Sequence, residues 1–152
     1  MTPYRATEPF DWSAVLRLIQ TEFAFMQGRI DPPSSMLALT AARLAAMPEV
    51  WVAGTPPVAC MVLTPKERAL YLGKLAVARA HRGQGLARQM VAVAERRARE
   101  LDLPCLELQT RIELVENHAT FVALGFVEIA RTAHKGYDRP TTLTFRKAIG
   151  PA

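Results

Sequence analysis

The residues with the clearest chemical meaning form a basic turn that contains two glycines, Arg82-Gly-Gln-Gly-Leu-Ala87. An apolar segment, Leu70–Val77, precedes this turn, and a long segment with apolar residues at helical spacing follows it. A helix that begins at such a turn leaves backbone N–H groups without partners, at the positive end of the helix dipole. Gly83 and Gly85 lack a Cβ, so the main chain can approach a ligand closely. The turn therefore predicts an anion site, most often a phosphate site.

Three arginines, Arg79, Arg82 and Arg88, add positive charge on either side of this turn. The dinucleotide fingerprint G-x-G-x-x-G would require a glycine where Arg88 stands, and no acidic residue closes a second parallel strand in the expected way. The sequence therefore argues against a nicotinamide or flavin cofactor.

The composition is that of an ordinary globular protein, with 152 residues of which 50% are hydrophobic. We expect a single domain over residues 1–152. No apolar run approaches the roughly 18 residues that a membrane span needs, and the N-terminus lacks the apolar core of an export signal. Cys60 and Cys105 lie in apolar strand patterns without metal-ligand spacing, which predicts a reduced, cytoplasmic setting and no metal site.

The formal net charge of +5 raises the question of a nucleic-acid partner. However, part of the positive charge surrounds the glycine turn, and Arg96, Arg97 and Arg99 alternate with Glu95 and Glu100 on the following helix. A helix face of mixed sign is typical of a solvated surface, so we expect no nucleic-acid partner and no membrane partner.

Periodicity and turn residues predict the elements that position the glycine turn. They are a short strand Pro3–Thr7, a helix Asp11–Met26, a second helix from a Ser34 or Ser35 cap to about Ala46, strands Val50–Ala53, Val58–Thr64 and Leu70–Val77, a helix Gln84–Leu101, a strand Cys105–Thr110, a helix from Glu116 or Asn117 through Leu124, and strands Phe126–Arg131 and Thr141–Lys147. A strand–helix–strand crossover normally returns parallel to its first strand. Leu70–Val77 and Cys105–Thr110 should therefore lie side by side and parallel.

The turn residues Arg82–Ala87 resemble the R/Q-x-x-G-x-G/A motif of the GNAT superfamily of acyl-CoA N-acyltransferases, and Phe121-Val-Ala-Leu-Gly-Phe126 is similar to that family's Y-x-x-x-G-F signature. The elements from Val50 to Lys147 also follow the family's order. The resemblance implies an α/β (α+β) fold, with a mixed, mostly antiparallel sheet, two splayed parallel strands and flanking helices. It further implies acetyl-CoA as co-substrate and direct acetyl transfer to a primary amine in a ternary complex.

Site residues follow from the same resemblance. It places the pyrophosphate of the co-substrate on the backbone of the turn, with help from arginine side chains, and the pantetheine arm on the strand that precedes the turn. The implied cofactor-binding residues are Leu75, Ala76, Val77, Arg82, Gly83, Gln84, Gly85, Leu86, Ala87, Arg88, Asn117 and Phe121.

Two positions depart from the family pattern. Phe121 stands where the family usually has the tyrosine that protonates the departing thiolate, and a phenyl ring cannot donate a proton. Leu114 occupies the place of a frequent asparagine, while Asn117 lies about one turn later. Water or Tyr137 could supply the proton, and a thiol with a pKa near 8.5 needs little assistance to leave.

Several residues are candidates for the catalytic proton transfers. Glu22 lies late on the first helix, although an exposed helix glutamate is the more common explanation. Glu107 could activate water or pair with an arginine, and His118 could act as a base or as a capping or surface residue. His134 and Tyr137 belong to a turn that can lean over the pocket in this fold.

The acceptor is expected to be a small-molecule or peptide amine. Arg29 and Asp31, in a proline-stiffened loop between the first helices, are candidate substrate contacts, although such polar side chains also serve as helix caps. The six methionines and the apolar first helix indicate an apolar pocket wall or a homodimer surface, and core packing explains them equally well. Two alternatives stay open: a non-catalytic acyl-CoA sensor on the same fold, and a basic nucleic-acid-binding module.

Overall fold

Four α-helices and seven strands make up residues 1–150, the part of the chain that the computed structural model describes. In chain order they are β1 (Tyr4–Arg5), α1 (Trp12–Ala24), a 3₁₀ turn (Ser35–Ala38), α2 (Ala41–Ala45), β2 (Glu49–Ala53), β3 (Ala59–Pro65), β4 (Leu70–Val77), a second 3₁₀ turn (Arg79–His81), α3 (Leu86–Glu100), β5 (Cys105–Arg111), α4 (Val115–Ala123), β6 (Val127–Thr132) and β7 (Thr142–Ala148).

The strands form one sheet with the order β1-β2-β3-β4-β5-β7-β6. Every neighbouring pair is antiparallel except β4 and β5, which are parallel and are joined by the α3 crossover. This architecture confirms the predicted fold class and the predicted parallel pair. Each predicted strand is present, with bounds within two residues of those predicted.

Helices cover both faces of the sheet, so β2 and most of β3 are buried on both sides. On the α3 face the core includes Met61, Met90 and Phe145. On the opposite face, Ile19 of α1 and Leu44 of α2 pack against the sheet. Burial of such side chains contributes roughly 1.5–3 kcal/mol each to folding and holds the sheet rigid beneath its loops.

The predicted second helix is wrong as a single element, because the chain is interrupted between the 3₁₀ turn and α2. Ser34 Oγ accepts the Met36 N–H at 3.1 Å and starts the 3₁₀ turn. Leu39 and Thr40 then adopt extended backbone angles, and Thr40 Oγ1 accepts the Arg43 N–H at 3.2 Å. Threonine is a good N-cap residue, so Thr40 was the signal for this second start.

The parallel strands β4 and β5 separate soon after they meet. They pair at Leu70 with Leu106 and at Tyr71 with Glu107, and at no later position among the described residues. Both strands continue beyond this point, β4 to Val77 and β5 to Arg111. A gap therefore opens between them toward their carboxyl ends.

A bulge bends β4 on its other edge, where it pairs with β3. Cys60 lies opposite Ala76 and Val62 lies opposite Gly73, so β4 carries one extra residue over this span. Lys74, within the bulge, has a φ of +52°, which is uncommon for a residue other than glycine. Because a bulge bends its own strand, β4 turns just where it parts from β5.

Candidate active site

The loop between β4 and α3 presents a row of unpaired backbone amides. Within residues 1–150, none of the six N–H groups from Gly83 to Arg88 donates a hydrogen bond to a protein acceptor. Gly83 and Gly85 have φ values of +78° and +79°, and a Cβ added at either would meet no atom within 4 Å. The loop therefore faces open space at the start of α3, with the geometry of an anion site.

Arg82 is engaged with the protein rather than with that open space. Its Nη2 donates to Glu22 Oε1 at 2.9 Å, and its Nε donates to the Val77 carbonyl oxygen at 3.2 Å. Glu22 is 7% exposed, so the surface position expected for this glutamate is wrong. The side chain of Arg82 ties α1 to the end of β4, directly beneath the unpaired amides.

Arg79 and Arg88, the other two arginines near the turn, make different contacts. The guanidinium of Arg79 lies 3.5 Å from the centre of the Phe25 ring, a cation–π contact. Arg88 forms no ion pair within the described residues and lines the cavity in front of the loop. Of the three, Arg88 is therefore the one with a charge available to an anion in that cavity.

Two adjoining cavities occupy the gap between β4 and β5. The loop-side cavity has a volume of about 350 Å³ and reaches the glycine turn. The acceptor-side cavity has a volume of about 300 Å³ and reaches the end of α1, at Phe23 and Met26. Leu75, Asn117 and Phe121 line both cavities, so the two adjoin, and together they extend from the turn to the end of α1; we call the pair the channel.

Most of the predicted cofactor-binding residues lie on the loop-side cavity. These are Leu75, Val77, Arg82, Gly83, Gly85, Leu86, Ala87, Arg88, Asn117 and Phe121. The side chain of Ala76 instead packs in the core on the α1 face, because neighbouring residues of a strand point to opposite faces. The side chain of Gln84 is exposed, so the unpaired backbone N–H is the group of this residue that is available to an anion.

The ring of Phe121 packs where the two cavities meet. Its centre lies 6.0 Å from that of Phe126 and 6.1 Å from that of Phe145. The ring is thus an apolar wall that the two cavities share.

Three ionisable residues on the wall of the acceptor-side cavity, Tyr71, Lys74 and Arg111, were missed by sequence reasoning. Tyr71 is half-buried, and burial together with the Glu107 carboxylate raises its pKa, although a hydrogen bond from the Gln109 backbone acts in the opposite direction. Burial lowers the pKa of the Lys74 ammonium. The signal for Lys74 was a lone lysine inside an apolar strand.

The four catalytic candidates lie outside the walls of the two cavities and make other contacts. Glu107 accepts from Arg146 Nη2 at 2.8 Å, in the part of β5 that is still paired with β4. His118 Nε2 lies 2.9 Å from the Arg111 carbonyl oxygen. The residues concerned are Glu22, Glu107, His118 and Tyr137, and their catalytic roles stay predictions.

The predicted acceptor contacts fasten the loop after α1 across the mouth of the gap. Arg29 Nη2 donates to Glu116 Oε2 at 2.9 Å, which links this loop to α4. Asp31 accepts from the Tyr137 hydroxyl at 2.6 Å and from Arg139 Nη2 at 3.2 Å, which links it to the β6–β7 turn. Arg29 and Asp31 thus fix the position of the loop after α1, and a role in contacting substrate stays a prediction.

The buried cysteines are poorly placed for nucleophilic chemistry. Burial raises the pKa of Cys60 to about 12, so its thiol carries a proton at neutral pH. Cys105 is 8% exposed and its Sγ donates to the Arg68 carbonyl oxygen at 3.3 Å. Neither residue lines the two cavities.

A mixed sheet that opens between two parallel strands, beside a loop of unpaired amides, is the architecture expected of an acyl-CoA N-acyltransferase. The sequence model of the Acetyltransferase (GNAT) family matches residues 12–126, and the chain belongs to this family. The comparison with curated protein sequences found no significant match. No helix in residues 1–150 combines the length and apolar character needed to cross a bilayer.

Solved structures of acetyltransferases share the fold at low sequence identity. A GNAT family acetyltransferase from Staphylococcus aureus superposes with a TM-score of 0.73 at 12% identity, covering 98% of this chain and 99% of that one. One from Elizabethkingia anophelis, with acetyl-CoA bound, has a TM-score of 0.69 at 15% identity and 97% coverage of both chains. The ribosomal-protein-S18-alanine N-acetyltransferase from Escherichia coli has a TM-score of 0.68 at 17% identity, covering 99% of this chain and 96% of that one.

Proposed function

We propose that this protein transfers an acetyl group from acetyl-CoA to a primary amine, directly, in a ternary complex. The observation that carries the proposal is the continuity of the site. A loop of six unpaired amides opens onto a channel that runs between β4 and β5 to the end of α1. Membership of the Acetyltransferase (GNAT) family supplies acetyl-CoA as the co-substrate.

The chain offers matched groups for the diphosphate and the pantetheine arm of acetyl-CoA. The amides from Gly83 to Arg88, with the Arg88 guanidinium, suit the diphosphate. Beyond Tyr71, the edge of β4 that faces the gap no longer pairs with β5. Unpaired backbone groups favour a partner, and the amide-containing pantetheine arm can pair with this edge near Leu75 and Val77.

The acetyl thioester supplies an activated carbonyl carbon. The neutral amine attacks this carbon, the C–N bond forms and the C–S bond breaks, so one proton must leave nitrogen and one must reach sulfur. His134, on the acceptor-side wall, has Nδ1 engaged with the Thr141 hydroxyl, while Nε2 bonds to no group in residues 1–150. We assign the amine proton to His134, through Nε2 or an intervening water.

Tyr71 is our candidate donor for the thiolate, in the absence of a hydroxyl at position 121. It lies on the same wall as His134. Burial and the Glu107 carboxylate raise its pKa, so the hydroxyl is protonated at neutral pH and offers a hydrogen-bond donor to the departing sulfur.

The loop assignment is tested by Gly85→Glu, with Gly28→Glu as the matched control. Both glycines have nearly the same positive φ, +79° and +78°, and open space around them, so the backbone strain is comparable. Only Gly85 places the new carboxylate in front of the unpaired amides. In calorimetric titration with acetyl-CoA, we expect Gly85→Glu to lose binding by at least about 100-fold, roughly 2.7 kcal/mol, and Gly28→Glu to retain it. Equal affinity in the two variants would refute the loop assignment.

A non-catalytic acyl-CoA sensor is the second candidate, favoured by the phenyl ring of Phe121 at the centre of the channel. The two functions differ in turnover. Release of coenzyme A in the presence of amines supports the enzyme, whereas tight acetyl-CoA binding without release supports the sensor.

A further inference from the structure

The acceptor-side cavity carries positive charge without any balancing acid on its wall. Lys74 and Arg111 line it, and among its described lining residues none is aspartate or glutamate. A family that acts on amines meets substrates that are cations in water, so this charge is informative about the acceptor.

Lys74 is a cation without an ionic partner. It is half-buried at the bulge of β4, and it forms no ion pair within residues 1–150. Its positive φ of +52° shows that the bulge determines the backbone conformation at this residue. Burial lowers its pKa, as it does for an ammonium group that lacks a compensating charge.

Arg111 is positioned by neutral groups. Its guanidinium donates to the carbonyl oxygens of Pro32 and Pro33, which fix its direction but leave its charge uncompensated. Asp31, in the same loop, is already paired with Arg139 at 3.2 Å. Glu113, beside Arg111, accepts the Asp31 N–H through Oε2 and does not line the cavity.

Glu113 forms no ion pair within residues 1–150, but its carboxylate accepts the Asp31 N–H outside the cavity wall. Three other acids of the surrounding elements are paired with cations: Glu22 with Arg82, Glu107 with Arg146, and Glu116 with Arg29. The charged side chains on the cavity wall itself are therefore cationic, and a polycation such as a polyamine or an aminoglycoside would meet repulsion there.

Most of the rest of the wall is apolar. Phe23 of α1, three residues of the following segment, Met26, Ile30 and Met36, and Leu114 before α4 contribute to it. This agrees with the pocket-wall interpretation of the apolar first helix. An acceptor that fits such a wall presents an apolar group beside a negative one.

We propose that the acceptor is a small primary amine that also carries a carboxylate and an apolar group, the chemistry of an apolar amino acid. Lys74 and Arg111 bind the carboxylate, and the α1 side of the cavity binds the apolar group. The proposal rests on the proposed acetyltransferase function and specifies its substrate class.

The test compares two pairs of amines that differ only in the carboxylate charge: L-methionine with L-methioninamide, and L-phenylalanine with L-phenylalaninamide. Spermidine is included as a polycation. The full chain is incubated with acetyl-CoA, and coenzyme A release is followed together with mass spectrometry of the products. We expect a kcat/KM for the acids at least about 10-fold above that for the amides and for spermidine. The comparison is stringent, because an amide's amine loses its proton more readily than that of the acid.

Lys74→Met removes the charge and keeps the length of the side chain. We expect kcat/KM for the acids to fall about 10- to 100-fold, mainly through KM, because a charged hydrogen bond to the carboxylate is lost. The Kd of acetyl-CoA should stay unchanged, which shows that the variant is folded, and activity toward the amides should fall much less than activity toward the acids. Lys74→Arg should restore preference for the acids, and Lys135→Met, which removes an exposed charge next to His134, should leave it intact.

Two kinds of result overturn the inference. One is turnover of amides or spermidine that equals or exceeds turnover of the acids. The other is an equal loss for acids and amides in Lys74→Met. Failure to bind acetyl-CoA, or binding without coenzyme A release with any of these amines, would instead refute the proposed function, so the two failures are distinguishable.

Discussion

The ion pair between Arg82 and Glu22 allows a direct test of how the amide loop is held. The resemblance of the turn assigns the Arg82 side chain to the diphosphate, whereas the structure pairs it with Glu22 at 2.9 Å and with the Val77 carbonyl at 3.2 Å. If the pair supports the loop from below, Glu22→Gln and Arg82→Met should weaken acetyl-CoA binding to a similar extent. We expect about 3- to 10-fold in each, or roughly 0.7–1.4 kcal/mol.

The ion pair between Arg82 and Glu22 should also contribute to the free energy of unfolding. Glu22 is 7% exposed while the Arg82 side chain is 50% exposed, so the interaction lies between a buried pair and a surface pair. Removal of Arg82 leaves a buried carboxylate with one strong donor fewer. We expect Arg82→Met to lower the free energy of unfolding by about 2 kcal/mol, which is roughly 4–8 °C in Tm for a chain of this size.

A double-mutant cycle isolates the interaction. Unfolding in urea is measured for the native chain, the two single variants and the double variant, and acetyl-CoA affinity is measured for the same set. We expect a coupling energy in stability of about 1–1.5 kcal/mol. The reasoning is refuted if Glu22→Gln binds acetyl-CoA as tightly as the native chain or more tightly while Arg82→Met loses affinity, because Arg82 would then contact the diphosphate itself.

Two further predictions concern acid stability and the channel. Burial alone would raise the pKa of Glu49, but hydrogen bonds from Arg97 and Trp51 lower it overall. The ionised carboxylate therefore stabilises the fold above about pH 4.3, the ordinary pKa of glutamate, and this stabilisation is lost as the pH falls through the lowered pKa of the folded state. Glu49→Gln should therefore cost about 3 kcal/mol in urea unfolding at pH 7 and clearly less at pH 3, and a constant difference would contradict this. Phe121→Tyr should change the free energy of unfolding by less than about 1 kcal/mol. If thiolate protonation limits the rate, Phe121→Tyr should also raise kcat at pH 7. It should not raise kcat above pH 9, because a thiol with an ordinary pKa of about 8.5 then leaves as the thiolate without a proton. A rise in kcat at every pH would count against that role.

The sequence alone determined the order and kind of the elements because each is specified by local signals. A run of mostly apolar residues defines Leu70–Val77, and Gly83 and Gly85, followed by apolar residues at helical spacing, define the turn before α3. The same locality explains the amide loop, since helix starts leave N–H groups unpaired wherever they occur. The break at Thr40 was also readable, as an N-cap signal, although it was not predicted.

Only the tertiary structure decided which charges meet. Glu22 and Arg82 are 60 residues apart in sequence, and nothing near either one indicates that they form an ion pair. The bulge at Lys74 shifts the alternation of β4, so the strand pattern could not indicate that this lysine lines the acceptor-side cavity. Arg111 likewise obtains its place from a loop 78 residues away. Local patterns set the backbone, but the balance of charge in the cavity is a sum over distant elements and exists only once they are packed together.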